Sequence, residues 1–180
     1  MRIETKEFDL NGSKLILKNA EEDDAEMLLK YLKQIYAETP FLIQEPDEIT
    51  FTIDDEKKYI RENNDSDSDL LLIGMLDGKH VGNCSLMGNY VRRLKHRTSL
   101  GIVLYLEYTG LGIGRIMIEE ACKIAKENGI EQVELEVAAN NRNAISLYEK
   151  LGFGKVGILP NNMKYADGTY TDVHFMVKYL

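Results

Sequence analysis

The sequence predicts an α+β domain built on a mixed, mostly antiparallel central sheet flanked by helices. Three observations carry that prediction. Strand-like and helix-like segments intermix along the chain, yet hairpins outnumber strand–helix–strand crossovers, which argues against a doubly wound parallel sheet. Asp77-Gly78 stands between two apolar runs, the strongest short-range signal for a two-residue hairpin. One apolar strand, Thr98 to Leu106, leads into a glycine-rich loop, a helix and another strand, a unit that should form a right-handed crossover.

In chain order, Lys14 to Leu17 reads as a first strand. Asn19 followed three positions later by Glu22 resembles a capping box, and Ala25, Leu28, Leu32 and Ile35 then recur at helical spacing before Pro40. Thr52 and Asp55 mark a second helix start, and that charged helix runs to about Asn63. Asn64 to Asp69 alternates Asp, Ser and Asn and reads as a solvated loop. Leu70 to Leu76 and His80 to Leu86 are the hairpin strands. Gly112 to Asn128 carries an apolar stripe of helical period, with Gly129 as C-cap. Val133 to Ala138 is a strand and Arg142 to Leu151 a short helix. Phe153 to Leu159 and Thr171 to Lys178 close the chain as two strands.

A length of 180 residues suits a single domain over 1–180, large enough to bury a core without disulfides or a structural metal. The formal net charge is −8, opposite to what a duplex nucleic-acid binder needs, so that class is excluded. The stretch Leu100 to Leu106 is far too short to span a bilayer, and no signal-peptide pattern is present, so no membrane partner and a cytoplasmic location are expected. Cys84 and Cys122 lack a CxxC partner or a nearby histidine cluster; buried free thiols and no metal site are expected.

The central signal is Tyr108-Thr109-Gly110-Leu111-Gly112-Ile113-Gly114-Arg115, between the end of a strand and the start of a helix. Glycines there allow close approach of a ligand, and the first helix amides lack internal partners and carry partial positive charge, a combination suited to phosphate. A P-loop requires Lys followed by Ser or Thr after its last glycine, and Arg115-Ile116 follows instead. The dinucleotide fingerprint G-x-G-x-x-G fails in both registers, with Arg115 or Met117 in its third glycine slot. A tight strand-to-helix turn with no ligand at all is the other reading of the loop alone.

At this point the chain resembles the GNAT N-acetyltransferases over nearly its whole length. Thr109 to Gly114 is similar to the family's Q/R-x-x-G-x-G loop, and the segment Asn141 to Phe153 (NRNAISLYEKLGF) is similar to its N-x-x-A-x-x-L-Y-x-K-x-G-F block. The resemblance implies a three-layer GNAT-like domain with acetyl-CoA as co-substrate. It implies that the amides of Gly110, Leu111, Gly112, Ile113 and Gly114 hold the pyrophosphate. It implies too that the strand at Ile102, Val103 and Leu104 splays from its neighbour to pair with the pantetheine arm, and that Asn141 hydrogen-bonds the cofactor near the thioester. Thr109 departs from the family's Arg or Gln. A charge-assisted hydrogen bond is worth about 1.5 to 3 kcal/mol, so its loss weakens cofactor binding roughly ten- to hundredfold unless the Thr109 hydroxyl or Arg115 compensates.

Acetyl transfer needs a neutral amine, donors for the oxyanion and a proton for the thiolate. Tyr148 matches the family's tyrosine and is the candidate acid; reference values make its donation to a thiolate uphill by about 1.5 pKa units, roughly 2 kcal/mol. A core role for Tyr148 is the alternative, since it lies on the apolar stripe of its helix. An amide of the strand at Ile102 to Leu104 is the implied oxyanion donor. His96 is the side chain best tuned to act as base near neutral pH, unless it is a solvated member of the basic run Arg92, Arg93, Lys95 and Arg97. That run could itself touch the cofactor's adenosine phosphate or simply be solvated. Glu136, Asp172 and His174 rank behind His96 as base candidates, and a water chain would need no single base at all. In the family the segment between the first two helices often walls the acceptor site; here Phe41 to Thr52 carries Glu45, Asp47 and Glu48, which either suit a cationic amine or belong to a plain surface loop. The reading is direct acetyl transfer to a primary amine, either a small molecule or a protein N-terminus. An acyl-CoA-binding regulatory domain without turnover is the alternative. Family members often pair through sheet edges, so the resemblance allows a homodimer.

Overall fold

The computed structural model describes residues 1–180. The chain opens on a hairpin of β1 (Lys6–Leu10) and β2 (Ser13–Asn19), turning at Asn11 and Gly12 with φ of 54° and 89°. β1 is an element the sequence analysis did not predict. Asn-Gly is a strong hairpin turn, but Lys6, Glu7 and Asp9 break up any apolar run beside it. Helix α1 (Ala25–Glu38) follows one 3-10 turn over Glu22–Asp24. Its capping box pairs Glu21 with Asp24 rather than Asn19 with Glu22. Asn19 is instead buried, accepting from Ile3 N–H at 2.9 Å and donating to the Met1 carbonyl at 3.1 Å.

Helix α2 (Ile53–Asp65) starts at the predicted Thr52–Asp55 capping box. Strands β3 (Leu70–Leu76) and β4 (Lys79–Gly88) turn at Asp77-Gly78, with φ of 48° and 82° as the two-residue turn requires. Then come β5 (Arg97–Leu104), α3 (Ile113–Glu127), β6 (Gln132–Ala138), α4 (Arg142–Lys150), β7 (Gly154–Lys164) and β8 (Tyr170–Tyr179).

The eight strands form one sheet in the order β1-β2-β3-β4-β5-β6-β8-β7. Every neighbouring pair is antiparallel except β5–β6. Period-two alternation gives the sheet two apolar faces. On one, Leu15, Leu72 and Leu86 pack with Ile113, Met117 and Ile118 of α3, and Tyr148 of α4 joins the same cluster. On the other, Leu71 and Ile73 pack with Leu28 of α1 and Ile60 of α2. Each such side chain, buried completely, contributes about 1.5–3 kcal/mol. The result is the expected three-layer α+β architecture. Cys84 and Cys122 are buried and unpaired, and burial pushes both thiols up, keeping them neutral. No helix is long and apolar enough to cross a membrane. No group of three or more His, Cys, Asp or Glu side chains is arranged to hold a metal ion.

Candidate active site

The two parallel strands part early. Only Arg97, Thr98 and Ser99 of β5 pair with Gln132, Val133 and Glu134 of β6, where Arg97 also meets the buried Glu134 carboxylate at 2.9 Å. Beyond Ser99 the strands diverge. Tyr105 N–H donates to the Val81 carbonyl at 3.1 Å, and Asn83 stands opposite Val103. Directly opposed residues that exchange bonds alternate along an antiparallel pair, so Ser99, Gly101 and Val103 turn their backbone groups toward β4. Ile102 and Leu104 turn theirs toward the gap, past the last rung at Ser99 and Glu134, and have no strand partner there. This corrects the expectation for Val103, whose own amide and carbonyl face away from the gap. Its carbonyl instead accepts the Tyr31 hydroxyl at 2.8 Å.

The gap leads to the glycine loop. Gly110 and Gly112 have φ of 77° and 91°, left-handed values at which a side chain is strained. Gly112 is the N-cap of α3, and its carbonyl accepts Ile116 N–H at 3.2 Å. The amides ahead of that bond project from the helix start, where the helix dipole adds partial positive charge. Gly110, Leu111, Gly112 and Arg115 are exposed, while Ile113 and Gly114 are buried and seat the helix. The Thr109 hydroxyl does not face outward as a donor: it donates to the Leu106 carbonyl at 2.8 Å. Arg115 is exposed and paired with Glu119 at 3.0 Å, one i,i+4 pair worth little on a surface, so its guanidinium keeps further donors for an anion.

Helix α4 lies against the same opening. A Cβ at Gly114 would sit 3.6 Å from Leu104 of β5 and 3.6 Å from Leu147 of α4. Tyr148, only 8% exposed, stacks edge-on with Phe153 at 5.9 Å. Burial, with a smaller push from the neighbouring Cys84 thiol, raises its phenol to about 12, and no hydrogen bond contributes to that shift. Asn141 is the N-cap of α4, its Oδ1 accepting Ala144 N–H at 3.2 Å. Its side-chain amide N–H groups are the part left for a ligand.

On the opposite face of the sheet, a cleft of about 750 Å³ runs between the end of α1 with its following loop and the β7–β8 hairpin. Its lining includes Tyr36, Glu38, Glu45, Asn140, Lys164 and Asp167. Glu136 is the exposed residue of β6, two positions past the last rung shared with β5. Val133, Leu135 and Val137 belong to the α3-side core, so alternation puts Glu136 on the cleft's face of the sheet.

His96 is not brought to this place. It is exposed and precedes the first residue of β5, its carbonyl accepting Glu131 and Gln132 N–H at 2.8 and 3.1 Å. At about 3.3 Å per residue it stands roughly 25 Å from Leu104. Arg92, Arg93 and Lys95 share that far end and so do not border the glycine loop. Asp172 is engaged by Asn161 N–H at 2.9 Å. The sequence analysis missed the β7–β8 wall of the cleft, and also missed Tyr31 and Glu38 of α1. Their partners, Val103 and Leu106, lie 72 and 68 residues away, and no local pattern announces such bonds.

The sequence profile of the acetyltransferase (GNAT) family matches residues 29–153, and the chain belongs to that family. It is 41% identical over 70 residues to the N-alpha-acetyltransferase of Sulfurisphaera tokodaii, covering 38% of this chain and 41% of that one. It is 35% identical over 75 residues to the ribosomal protein bS18-alanine N-acetyltransferase of Escherichia coli, covering 42% and 51%. The chain thus spans about half or less of the length of these curated relatives. Among solved structures, a GNAT-family acetyltransferase from Streptococcus pneumoniae superposes with a TM-score of 0.88 at 29% identity, covering 92% of this chain and 99% of that one. A Salmonella typhimurium structure solved with its cofactor acetyl-CoA shares the fold, with a TM-score of 0.81 at 16% identity and coverage of 92% and 94%.

Proposed function

We propose that residues 1–180 act as one N-acetyltransferase domain that moves the acetyl group of acetyl-CoA directly to a primary amine. The observation that carries this reading is the unpaired edge of β5 at Ile102 and Leu104, running to the exposed amides of the glycine loop. An extended pantetheine arm adds to such an edge as a peptide adds to a sheet, with its pyrophosphate at the helix start. Acetyl-CoA supplies the activated acyl group. One of the free β5 amides meets the oxyanion, Tyr148 faces the sulfur from the α4 side, and Glu136 meets the incoming amine from the cleft side. The names of the two curated relatives support an α-amine acceptor. The cleft supports a cationic one, since Glu38, Glu45 and Asp167 outnumber Lys164.

The test begins with thermal unfolding of the chain alone and with acetyl-CoA, ATP or NADH. At about 100 times its dissociation constant a ligand stabilises by about 2.7 kcal/mol, a rise of roughly 5–10 °C for a chain this size. A rise with acetyl-CoA alone is expected, and no rise at millimolar concentration would withdraw the reading. Thiol release across a panel of peptides and amines then separates an enzyme from a regulatory domain that binds acyl-CoA without turnover. Gly112→Ala is expected to bind acetyl-CoA more weakly by roughly five- to thirtyfold, because holding a side chain in the left-handed region costs about 1–2 kcal/mol. Titration calorimetry measures it.

A further inference from the structure

Helix α1, on the sheet face opposite α3 and α4, meets β5 and the turn that follows it at two points on one side of the helix. The buried Tyr31 reaches the Val103 carbonyl at 2.8 Å and is boxed by the rings of His80 and Tyr105 at 4.8 and 5.1 Å. Two turns on, at the last residue of the helix, Glu38 Oε2 accepts Leu106 N–H at 2.9 Å, while Oε1 accepts Gln34 Nε2 at 2.6 Å. Leu106 in turn accepts from Thr109 twice, from its N–H at 3.1 Å and its hydroxyl at 2.8 Å. A continuous run of hydrogen bonds therefore joins Glu38, which lines the amine-side cleft, to the residue immediately before Gly110. The stretch from Gly110 to Gly112 is itself exposed, and a Cβ built on Gly110 would meet nothing within 4 Å. The shape of the loop is therefore set largely by how its entrance is held.

We propose that Glu38 is a positioning residue for the cofactor. It fixes the peptide of Leu106, and through Thr109 it holds the glycine loop in the form that presents its amides to the pyrophosphate. The inference rests on the acetyl-CoA reading above. It also makes a prediction opposite in sign to simple electrostatics. A carboxylate near an anionic ligand repels it, so by charge alone removing Glu38 tightens binding. As a positioning residue, its removal loosens binding.

Two substitutions separate these effects. Glu38→Ala removes both the charge and the acceptor. Glu38→Gln removes the same charge but keeps a carbonyl oxygen for Leu106 N–H. Calorimetric titration with acetyl-CoA is expected to show Glu38→Ala binding roughly tenfold more weakly than wild type, the loss of one hydrogen bond to a charged acceptor. Glu38→Gln is expected to stay within about threefold of wild type. Glu26→Ala, which breaks only the exposed Glu26–Lys30 pair on the same helix, should leave affinity unchanged and controls for helix stability. Equal affinities for the Ala and Gln variants, or tighter binding by Glu38→Ala, would overturn the proposal. Hydrogen exchange gives a readout that needs no ligand. The Leu106 amide should exchange faster in Glu38→Ala and keep its protection in Glu38→Gln. Equal exchange in all three proteins overturns the positioning role, whereas failure of the wild type to bind acetyl-CoA overturns the functional reading instead.

Discussion

Tyr148→Phe is expected to lower kcat roughly ten- to hundredfold and to leave acetyl-CoA affinity unchanged. The size follows from the environment of the phenol. With its pKa raised to about 12, transfer of its proton to a free thiolate of reference pKa about 8.5 is uphill by about 3.5 units, roughly 5 kcal/mol. That is well above the roughly 2 kcal/mol that reference values give. Complete transfer to a separated thiolate is thus a poor route, and the phenol serves better as a hydrogen-bond donor to sulfur while charge builds there. A hydrogen bond to a charged group is worth about 1.5–3 kcal/mol, which sets the expected loss. The sign of the pKa shift gives a second readout. Burial disfavours the phenolate, so the group stays protonated well past pH 10 and the wild-type rate should show no descending limb from Tyr148 below that pH. Single-turnover kinetics with saturating acetyl-CoA measures both. Full activity in the Phe variant would return Tyr148 to the core role that its packing against Phe153 also allows.

The hairpin at Asp77-Gly78, the helix after the glycine loop and the α4 block were legible because each is written in one short continuous stretch of the chain. What could not be read depends on strand order. The direction in which a residue of β5 turns its backbone depends on which strand lies on each side, so Ile102 and Leu104 could not be told from Val103 without the sheet. The same holds for His96: its chemistry suits a base, but the strand that starts beside it carries the chain away from it to the site. β7 was expected to end at Leu159, before Pro160, and instead runs to Lys164. It is an edge strand, and Pro160 falls in the register break between Leu159 and Met163, where no β8 residue is paired with it, so its missing N–H costs no ladder bond. Thr109 shows the limit of residue-by-residue comparison. Its hydroxyl could have replaced the family's donor in principle, yet the turn that ends β5 uses it internally.

The largest pH effect is expected from Glu136→Gln. Only a neutral amine attacks a thioester, and an α-amine of pKa about 8 is roughly nine-tenths protonated at pH 7. A carboxylate at Glu136, on the cleft face where β6 leaves β5, can take the proton from the amine nitrogen directly or through one water. Because about one-tenth of an α-amine is already neutral at pH 7, a variant without the base should lose about tenfold in kcat/KM near pH 7. The variant must then wait for solution to deprotonate the amine. Its rate should climb tenfold per pH unit until the amine's own pKa, near 8 for an α-amine, and the deficit should narrow over that range. His96→Ala, altered roughly 25 Å from Leu104, should follow the wild-type profile throughout. A constant deficit across pH 6–9 would mean that Glu136 acts by orienting the amine rather than by taking its proton. An undiminished rate at pH 7 would remove Glu136 from the chemistry and leave deprotonation to the water of the cleft.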